Sequence, residues 1–232
     1  MLQRDSMAFK RLTGLLGDVS ARTGHNLGKV VQDWVRTCLL AILRDDEEYL
    51  KAIEPYTRGE AGQRPIDRMV EAFSLLVQHT EAYEEEVLGA LFMELNSKWT
   101  RGGNGQFFTP PAVATMMARM NEPQPGQRIL DPACGAGAML VESAKMLPRD
   151  RRHEPFFMGI DIDPNCVNLC ALNSWIFNLN AVVIHGNALS GECWGGYQAL
   201  ADGKGGRGLV RLDKEDLAGI WTVAMNTLKP AA

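Results

Sequence analysis

A seven-residue segment at positions 131–137, Asp-Pro-Ala-Cys-Gly-Ala-Gly, constrains the fold of this chain more than any other feature. The apolar residues before it predict a short strand, and its proline ends that strand. Gly135 and Gly137 allow a tight turn before a helix, but Leu140 stands where dinucleotide-binding loops have a third glycine. The segment therefore predicts a strand, a glycine turn and a helix N-terminus that cradle a nucleotide-like ligand, with an ordinary strand-to-helix turn as the alternative.

This segment resembles the S-adenosylmethionine (SAM) loop of adenine-N6 DNA methyltransferases. Residues 105–110, Gly-Gln-Phe-Phe-Thr-Pro, resemble a signature of modification subunits of type I restriction systems and their short relatives. The resemblance implies that they fold over the cofactor, with the Thr109 hydroxyl near its methionine carboxylate and aromatic bulk near its adenine. Thr109 is also suited to cap a helix that begins at Pro110 or Pro111.

A second apolar run at 156–160 ends in Asp161, Ile162 and Asp163. An acid at the tip of a strand is placed to accept hydrogen bonds from both hydroxyls of a ribose. By the resemblance, Asp161 is the ribose ligand, Ile162 packs on the adenine and Asp163 caps the next helix. The alternative is that both acids only cap that helix.

A third apolar run at 181–184 leads to Asn187, where the family commonly has an acid that accepts the adenine amino group. The amide oxygen of Asn187 can still accept a hydrogen bond, without the charge. The resemblance thus implies a SAM site made of Gln106, Phe107, Phe108, Thr109, Asp131, Ala133, Cys134, Gly135, Gly137, Asp161, Ile162, Asn187 and Ala188.

The pattern along the chain predicts an α/β protein in two domains. Apolar residues at helical spacing indicate an N-terminal helical domain over residues 1–100. Residues 101–232 are predicted to form a shortened, Rossmann-like, SAM-dependent methyltransferase domain, with the C-terminal half of its fold missing. We expect strands at 128–131, 156–161 and 181–185, helices at 137–146 and 164–178, and a surface loop from 190 to 207.

The three strands are expected to be parallel in the order 3-2-1, with any fourth strand beside the first. The exposed edge of the first strand then favours a homodimer or a partner chain. Residues 219–226 are the candidate for the fourth strand, with Asn226 at its tip.

Adenine methyltransferases carry a catalytic loop with an Asn, Asp or Ser followed by Pro-Pro and an aromatic residue, and no such run occurs after residue 189. The amide and a proline carbonyl orient the target amino group, and the ring stacks on the flipped base. Asn226 is the one Asn after position 187 and hence the catalytic candidate in this chain, with Trp194 or Trp221 for stacking. Otherwise a partner supplies the loop.

Composition limits the partners that this chain binds by itself. A net charge of −4 and a pI near 5.6 do not support direct DNA binding, which usually needs a basic face. Five cysteines without a paired Cys-x-x-Cys spacing predict a reduced, cytosolic protein without a metal site. The sequence shows no membrane span or secretory signal.

Two functions remain open from sequence. The first is a SAM-dependent DNA adenine-N6 methyltransferase of restriction-modification type, minimal or dependent on a partner such as a specificity-type subunit that brings the DNA. The second is a non-catalytic SAM-binding module, such as a regulatory or anti-restriction subunit. The cofactor segments support the first hypothesis, and the absent Pro-Pro-aromatic loop supports the second.

Overall fold

The structure, a computed structural model, describes residues 7–99 and 108–228 of the chain. These residues divide into two compact units, with the division between Phe107 and Phe108. None of the helices in the described ranges is both long and apolar enough to cross a lipid bilayer.

The first unit is a set of helices joined by short, capped connections. The Asn26 side chain caps the helix at Leu27–Leu43, α2, by accepting a hydrogen bond from the Lys29 N–H at 2.8 Å. The buried Trp34 Nε1–H donates to the Met69 carbonyl at 3.0 Å and so links two of the helices. The predicted helices are confirmed, and they are α1 (Met7–Thr23), α2 (Leu27–Leu43), α3 (Asp46–Ile53), α4 (Pro65–Tyr83) and α5 (Leu88–Trp99), with a 3₁₀ turn at Glu54–Tyr56.

The second unit is a five-stranded mixed sheet with helices. Its helix α6 (Pro111–Asn121) packs against α7 (Ala138–Lys145), and Pro111 occupies the favourable first helical position. Its other elements are β1 (Arg128–Asp131), α7 (Ala138–Lys145), β2 (Phe156–Asp161), α8 (Pro164–Ile176), β3 (Ala181–Asn187), β4 (Glu192–Ala201), β5 (Arg207–Leu212) and α9 (Lys214–Leu228), with a 3₁₀ turn at Arg149–Arg151.

The strand order is β1-β2-β3-β4-β5. The pairs β1–β2 and β2–β3 are parallel, which confirms the three predicted strands and the order 3-2-1. The predicted place of a fourth strand beside β1 is wrong, because β4 pairs with β3 in the antiparallel direction and β5 then pairs with β4. Within the described residues, the outer edge of β1 carries no strand.

The predicted surface loop at 190–207 is also wrong, because most of these residues belong to β4. The loop was predicted because this segment is rich in glycine. Glycine within a strand can instead mark a place where two backbones approach closely. A Cβ on Gly196 would collide with the Val183 carbonyl oxygen of β3. Glycine is therefore needed here for β4 to lie against β3.

The predicted strand at 219–226 is wrong as well, because these residues lie in α9. Leu217 and Ala224 are fully buried, and Ile220 and Trp221 are partly buried against the same core. The spacing of these four residues is that of a helix face. They pack over one face of the sheet, against a cluster that includes Leu130, Phe156, Met158, Ile160, Val182, Ile184, Ala188, Cys193 and Leu212.

Candidate functional site

The loop after β1 has the strained backbone that its glycines predicted. Gly135 has φ +52° and Gly137, which is the N-cap of α7, has φ +84°. The Cys134 N–H donates to the Ile160 carbonyl at 2.9 Å and ties the loop to the end of β2. The Gly137 N–H donates to the Cys134 carbonyl at 2.7 Å and closes the turn. The segment therefore is the predicted strand, glycine turn and helix start.

Besides the turn that the sequence predicted, each of the two glycines makes room for a neighbouring side chain. A Cβ on Gly137 would lie 2.7 Å from the Cys170 sulfur of α8, which is well inside van der Waals contact. A Cβ on Gly135 would lie 3.1 Å from a ring carbon of Phe108. Gly137 thus allows α7 to pack on α8, whereas Gly135 accommodates the aromatic residue that precedes α6.

Asp161 holds this loop in place from the tip of β2. One carboxylate oxygen accepts a hydrogen bond from the Gly135 N–H at 2.8 Å, and the other accepts from the Asp163 N–H at 2.9 Å. A carboxylate has about four acceptor positions, so both oxygens can still accept from a ligand. Asp163 caps α8 by accepting from the Asn165 N–H at 2.8 Å, as predicted, and Asp161 does not take part in that cap.

Asp131 lies close to Asp161 at the end of β1. Burial raises the pKa of Asp131, and the negative charge of Asp161 raises it further, while the Ala133 N–H at 3.1 Å acts in the opposite direction. The two carboxylates thus concentrate negative charge beside the glycine turn. A ligand that brings a positive charge or hydroxyl donors would relieve their repulsion.

Cys134, in the same loop, is buried. Its hydrogen bond with the Cys170 thiol and its burial raise the pKa of the Cys134 thiol well above its ordinary value. A raised pKa favours the neutral thiol, which is a poor nucleophile. All five cysteines are buried and unpaired, as expected for small core residues.

The tips of β2 and β3 carry the residues predicted to contact adenine. Ile162 is exposed, with 58% of its surface accessible. The Asn187 amide oxygen already accepts two hydrogen bonds, from the N–H groups of Leu189 at 2.9 Å and Ser190 at 3.2 Å. This oxygen has two lone pairs, so Asn187 shapes the β3–β4 turn in this conformation. Ala188 packs towards the core on the α9 face.

The segment before α6 is described only from Phe108 onwards, so the predicted positions of Gln106 and Phe107 lie outside the described residues. Phe108 is half-buried and contacts the glycine turn. The predicted cap by Thr109 is wrong, because Pro110 is the N-cap of α6 and no side chain caps this helix. The ring of Pro110 fixes its φ, which is −58°. Proline has no side-chain acceptor, so no side chain caps the first N–H groups of this helix.

The structure does not place Asn226 at the tip of a strand. Asn226 is exposed near the end of α9, so the geometry expected of a catalytic Asn at the sheet edge is absent. Trp221, the other candidate from the same segment, donates its Nε1–H to the Gly191 carbonyl at 3.1 Å and packs towards the core. The sequence interpretation failed here because it took a helix for a strand.

Two residues next to the site were not in the predicted set. Cys170 contacts the place where a Gly137 side chain would be, and only the packing of α7 on α8 reveals this. His185 projects near Ile162, with its Nε2 atom 3.3 Å from the Ile162 carbonyl oxygen. His185 is the last residue of the predicted third strand, and this position was the available signal.

Known proteins share sequence with this chain. The profile of the family described as N-6 DNA Methylase matches residues 82–200, which is more than half of the 232 residues. The chain is 23% identical over 153 residues to the methylase subunit of the type I restriction enzyme MpnII of Mycoplasma pneumoniae, covering 64% of this chain and 25% of that protein. It is 24% identical over 110 residues to the EcoKI methylase subunit of Escherichia coli K12, covering 42% and 21%. The chain thus spans about a quarter of the length of these curated relatives.

Solved structures overlap the chain in part. A modification subunit from Vibrio vulnificus YJ016 covers 53% of this chain at a TM-score of 0.41 and 24% identity, over 27% of its own length. The methyltransferase subunit of a type I restriction-modification system from Streptococcus thermophilus covers 75% of this chain at a TM-score of 0.38 and 19% identity, over 38% of its own length.

Proposed function

Since this chain belongs to the N-6 DNA methylase family, we propose that its second unit binds SAM and that the chain acts in adenine-N6 methylation of DNA. The observation that carries the proposal is the link between the Asp161 carboxylate and the Gly135 N–H at 2.8 Å. This bond couples the acid at the tip of β2 to the glycine turn after β1. A ligand that reaches from one to the other spans the carboxyl ends of two parallel strands, where open α/β sheets bind ligands.

The residues at these tips fit the chemical groups of SAM. Asp161 would accept the ribose hydroxyls, and the exposed Ile162 would pack against the adenine. The negative charges of Asp131 and Asp161 would favour the positively charged methionine end of the cofactor. Thr109 and the N-terminus of α6 would lie at the carboxylate. When bound, SAM supplies a methyl group on a positively charged sulfur.

The acceptor-positioning groups for methyl transfer are proposed to come from another polypeptide segment or subunit. The sequence has its one Pro-Pro pair at 110–111, next to α6, and none after β3. The matched relatives are methylase subunits of type I restriction enzymes. We therefore propose that DNA is held through a partner, such as a specificity-type subunit, or through an oligomer. With DNA as substrate and unpaired cysteines, we propose a cytosolic protein.

Calorimetric titration with SAM tests the cofactor site. Asp161→Ala should weaken binding by about 1–3 kcal/mol, because the ribose hydroxyls lose their acceptor. The substitution also removes the acceptor of the Gly135 N–H, so Asp161→Asn, which keeps a side-chain oxygen, separates the two effects. A control is Asp202→Ala, in the turn between β4 and β5, away from the tips of β1 and β2. Wild-type affinity in Asp161→Ala would remove the site assignment.

Mass spectrometry of N6-methyladenine in genomic DNA tests the reaction. Cells that carry this chain with its partner should gain the modification, and Asp131→Ala should abolish the gain. SAM binding without any gain would favour the second candidate function, a non-catalytic SAM-binding regulatory or anti-restriction subunit. The exposed helical position of Asn226 is the observation that favours this candidate.

The same assay decides whether Asn226 is the catalytic residue of this chain. Asn226→Ala should abolish methylation and leave SAM affinity intact if its amide orients the target amino group. Full activity in Asn226→Ala would exclude it and assign this role to a partner.

A further inference from the structure

An exposed aromatic pair lies beside the tip of β2. The rings of His185 on β3 and Trp194 on β4 have their centroids 4.8 Å apart and their planes at 59°. Trp194 keeps 46% of its surface exposed, although tryptophan is on average a highly buried residue. The β4 strand, which sequence interpretation did not predict, brings this indole to the site.

The pair projects from the same face of the sheet as Asp161. His185 is the partner of Asp161 in the parallel register of β2 and β3, and paired residues of neighbouring strands share a face. Cys193 is buried on the opposite face, in the α9 core. Successive side chains of a strand point to opposite faces, so Trp194, the residue after Cys193, lies on the face of Asp161.

A break in the strand register directs Trp194 outwards. His185 pairs with Gly195, and the next residue, Gly186, pairs with Cys193, so Trp194 has no partner of its own across the β3–β4 ladder. Bulges of this kind redirect a side chain and often lie next to functional sites. The imidazole of His185, which contacts the Ile162 carbonyl at 3.3 Å, supports the indole from β3.

On the basis of the proposed SAM site, we propose that Trp194, supported by His185, forms a stacking wall for the adenine of the cofactor. Neighbouring strands are about 4.8 Å apart, so Trp194 on β4 lies roughly 10 Å from Asp161 on β2. This distance suits a nucleoside whose ribose is held by Asp161 and whose base extends over β3. The exposed Ile162 offers a second apolar surface to that base.

The position of Trp194 favours the cofactor adenine over a flipped DNA base. A target base must lie near the transferred methyl group, at the methionine end of the cofactor. The residues proposed for that end are in the loop after β1 and before α6. Trp194 lies on β4, on the other side of β2 and β3 from β1. The adenosine end of the cofactor is the part that reaches this side.

Calorimetric titration with S-adenosylhomocysteine tests the proposal. Trp194→Ala should weaken binding about 5- to 100-fold, the range expected for loss of one base–aromatic stack. Trp194→Phe should stay within about threefold of the wild type, because it keeps an aromatic face. The matched control is Leu200→Ala, since Leu200 is 43% exposed on the same strand but lies at its other end. This control should bind like the wild type.

Indole fluorescence supplies a readout that a purely structural role would not move. S-adenosylhomocysteine should quench the emission of the wild type, and Trp194→Phe should lose most of this change while it still binds. If Trp194→Ala does not fold, as judged by circular dichroism, the fluorescence of Trp194→Phe decides the question. A full quench in Trp194→Phe would overturn the proposal.

The outcomes separate this proposal from the proposed function. No binding of S-adenosylhomocysteine by the folded wild type would overturn both. Binding that is equal in the wild type and in Trp194→Ala would overturn the role of Trp194 alone. If Trp194→Ala binds the cofactor like the wild type but binds a single-stranded adenine oligonucleotide more weakly, the proposed contact with the cofactor is also overturned. Trp194 would then be assigned to the target base.

Discussion

At the residue scale, the glycine turn after β1 shows that packing against a neighbouring helix can by itself require glycine at one position. Gly137 combines φ +84° with a place where a Cβ would be 2.7 Å from the Cys170 sulfur. Its side of the turn faces α8. Loss of SAM binding in a Gly137 variant would therefore follow from a displaced loop, and not from a side chain that occupies the cofactor position.

We predict that Gly137→Val destabilises the protein by about 3–5 kcal/mol, from overpacking and from strain at a positive φ. Gly126→Val is the matched control, because Gly126 has φ +74° with open space around its Cβ position. The control should lose only the strain contribution of about 1–3 kcal/mol. Urea denaturation measures both, and equal losses would contradict the contact with Cys170.

Asp131 is a residue whose charge opposes folding. Because its pKa is raised in the folded protein, the folded state binds more protons than the unfolded state around this pKa, and stability falls as pH rises through that interval. The cost is fully present at neutral pH and disappears once the pH is below the ordinary carboxyl range. An acid whose pKa is raised by burial and by a neighbouring charge is a candidate for a functional site.

We predict that Asp131→Asn raises the melting temperature at pH 7 by about 2–4 °C, the shift that 1 kcal/mol produces in a protein of this size. The asparagine oxygen can keep the bond from Ala133. The advantage should shrink when the pH is lowered below the usual carboxyl range. Calorimetric scans across pH check this, with Glu122→Gln as an exposed control. A lower melting temperature in Asp131→Asn at pH 7 would contradict it.

At the element scale, the β4–β5 hairpin and α9 complete the second unit. The hairpin extends the sheet beyond β3, and α9 returns over the face formed by Met158, Ile160 and their neighbours. Trp221 joins α9 to the turn between β3 and β4. Its Nε1–H donates to the Gly191 carbonyl in that turn, and its ring lies where a Gly186 side chain would be.

We predict that Trp221→Ala lowers the free energy of unfolding by about 2–4 kcal/mol, through lost burial and an unpaired carbonyl. Trp221→Phe should lose less, because the ring contact with β3 remains. Val223→Ala, at a 40% exposed position of the same helix, is the control and should stay within about 0.5 kcal/mol. Chemical denaturation followed by circular dichroism measures these values, and a neutral Trp221→Ala would show that α9 is not anchored there.

At the scale of the whole molecule, the edge of β1 determines which assemblies are open to the chain. β1 is the end strand of the sheet in the described residues, and its unpaired backbone groups can receive another strand. The sequence has no Pro-Pro-aromatic loop after β3, so the proposed reaction also calls for another chain segment. A strand added at this edge would lie next to β1, whose following loop is proposed to hold the methionine end of the cofactor.

We predict self-association into a homodimer at micromolar concentration when no other partner is present. Light scattering should give twice the mass of the 25.6 kDa chain. Met120→Glu tests a different interface, because Met120 is 77% exposed on α6 and not on the sheet edge. Its mass should equal that of the wild type. A strictly monomeric wild type would leave the edge to a different partner.

The features of this protein that depend on local chemistry could be predicted from the amino-acid sequence. The three parallel strands, the glycine turn and the Asp163 cap follow from residues that are adjacent in the chain, so their pattern was sufficient. The family resemblance was carried by the same short segments. These predictions needed no knowledge of which distant residues meet.

The β4 strand, the α9 helix and the role of the Asn187 amide became evident from the three-dimensional structure. The glycines of β4 indicated a loop until Gly196 was seen against β3, and α9 was taken for a strand until its buried face was seen on the sheet. The amide oxygen of Asn187 accepts hydrogen bonds from the backbone of the turn between β3 and β4. Each of these outcomes depends on contacts between distant residues, and the same sequence pattern is compatible with more than one such contact.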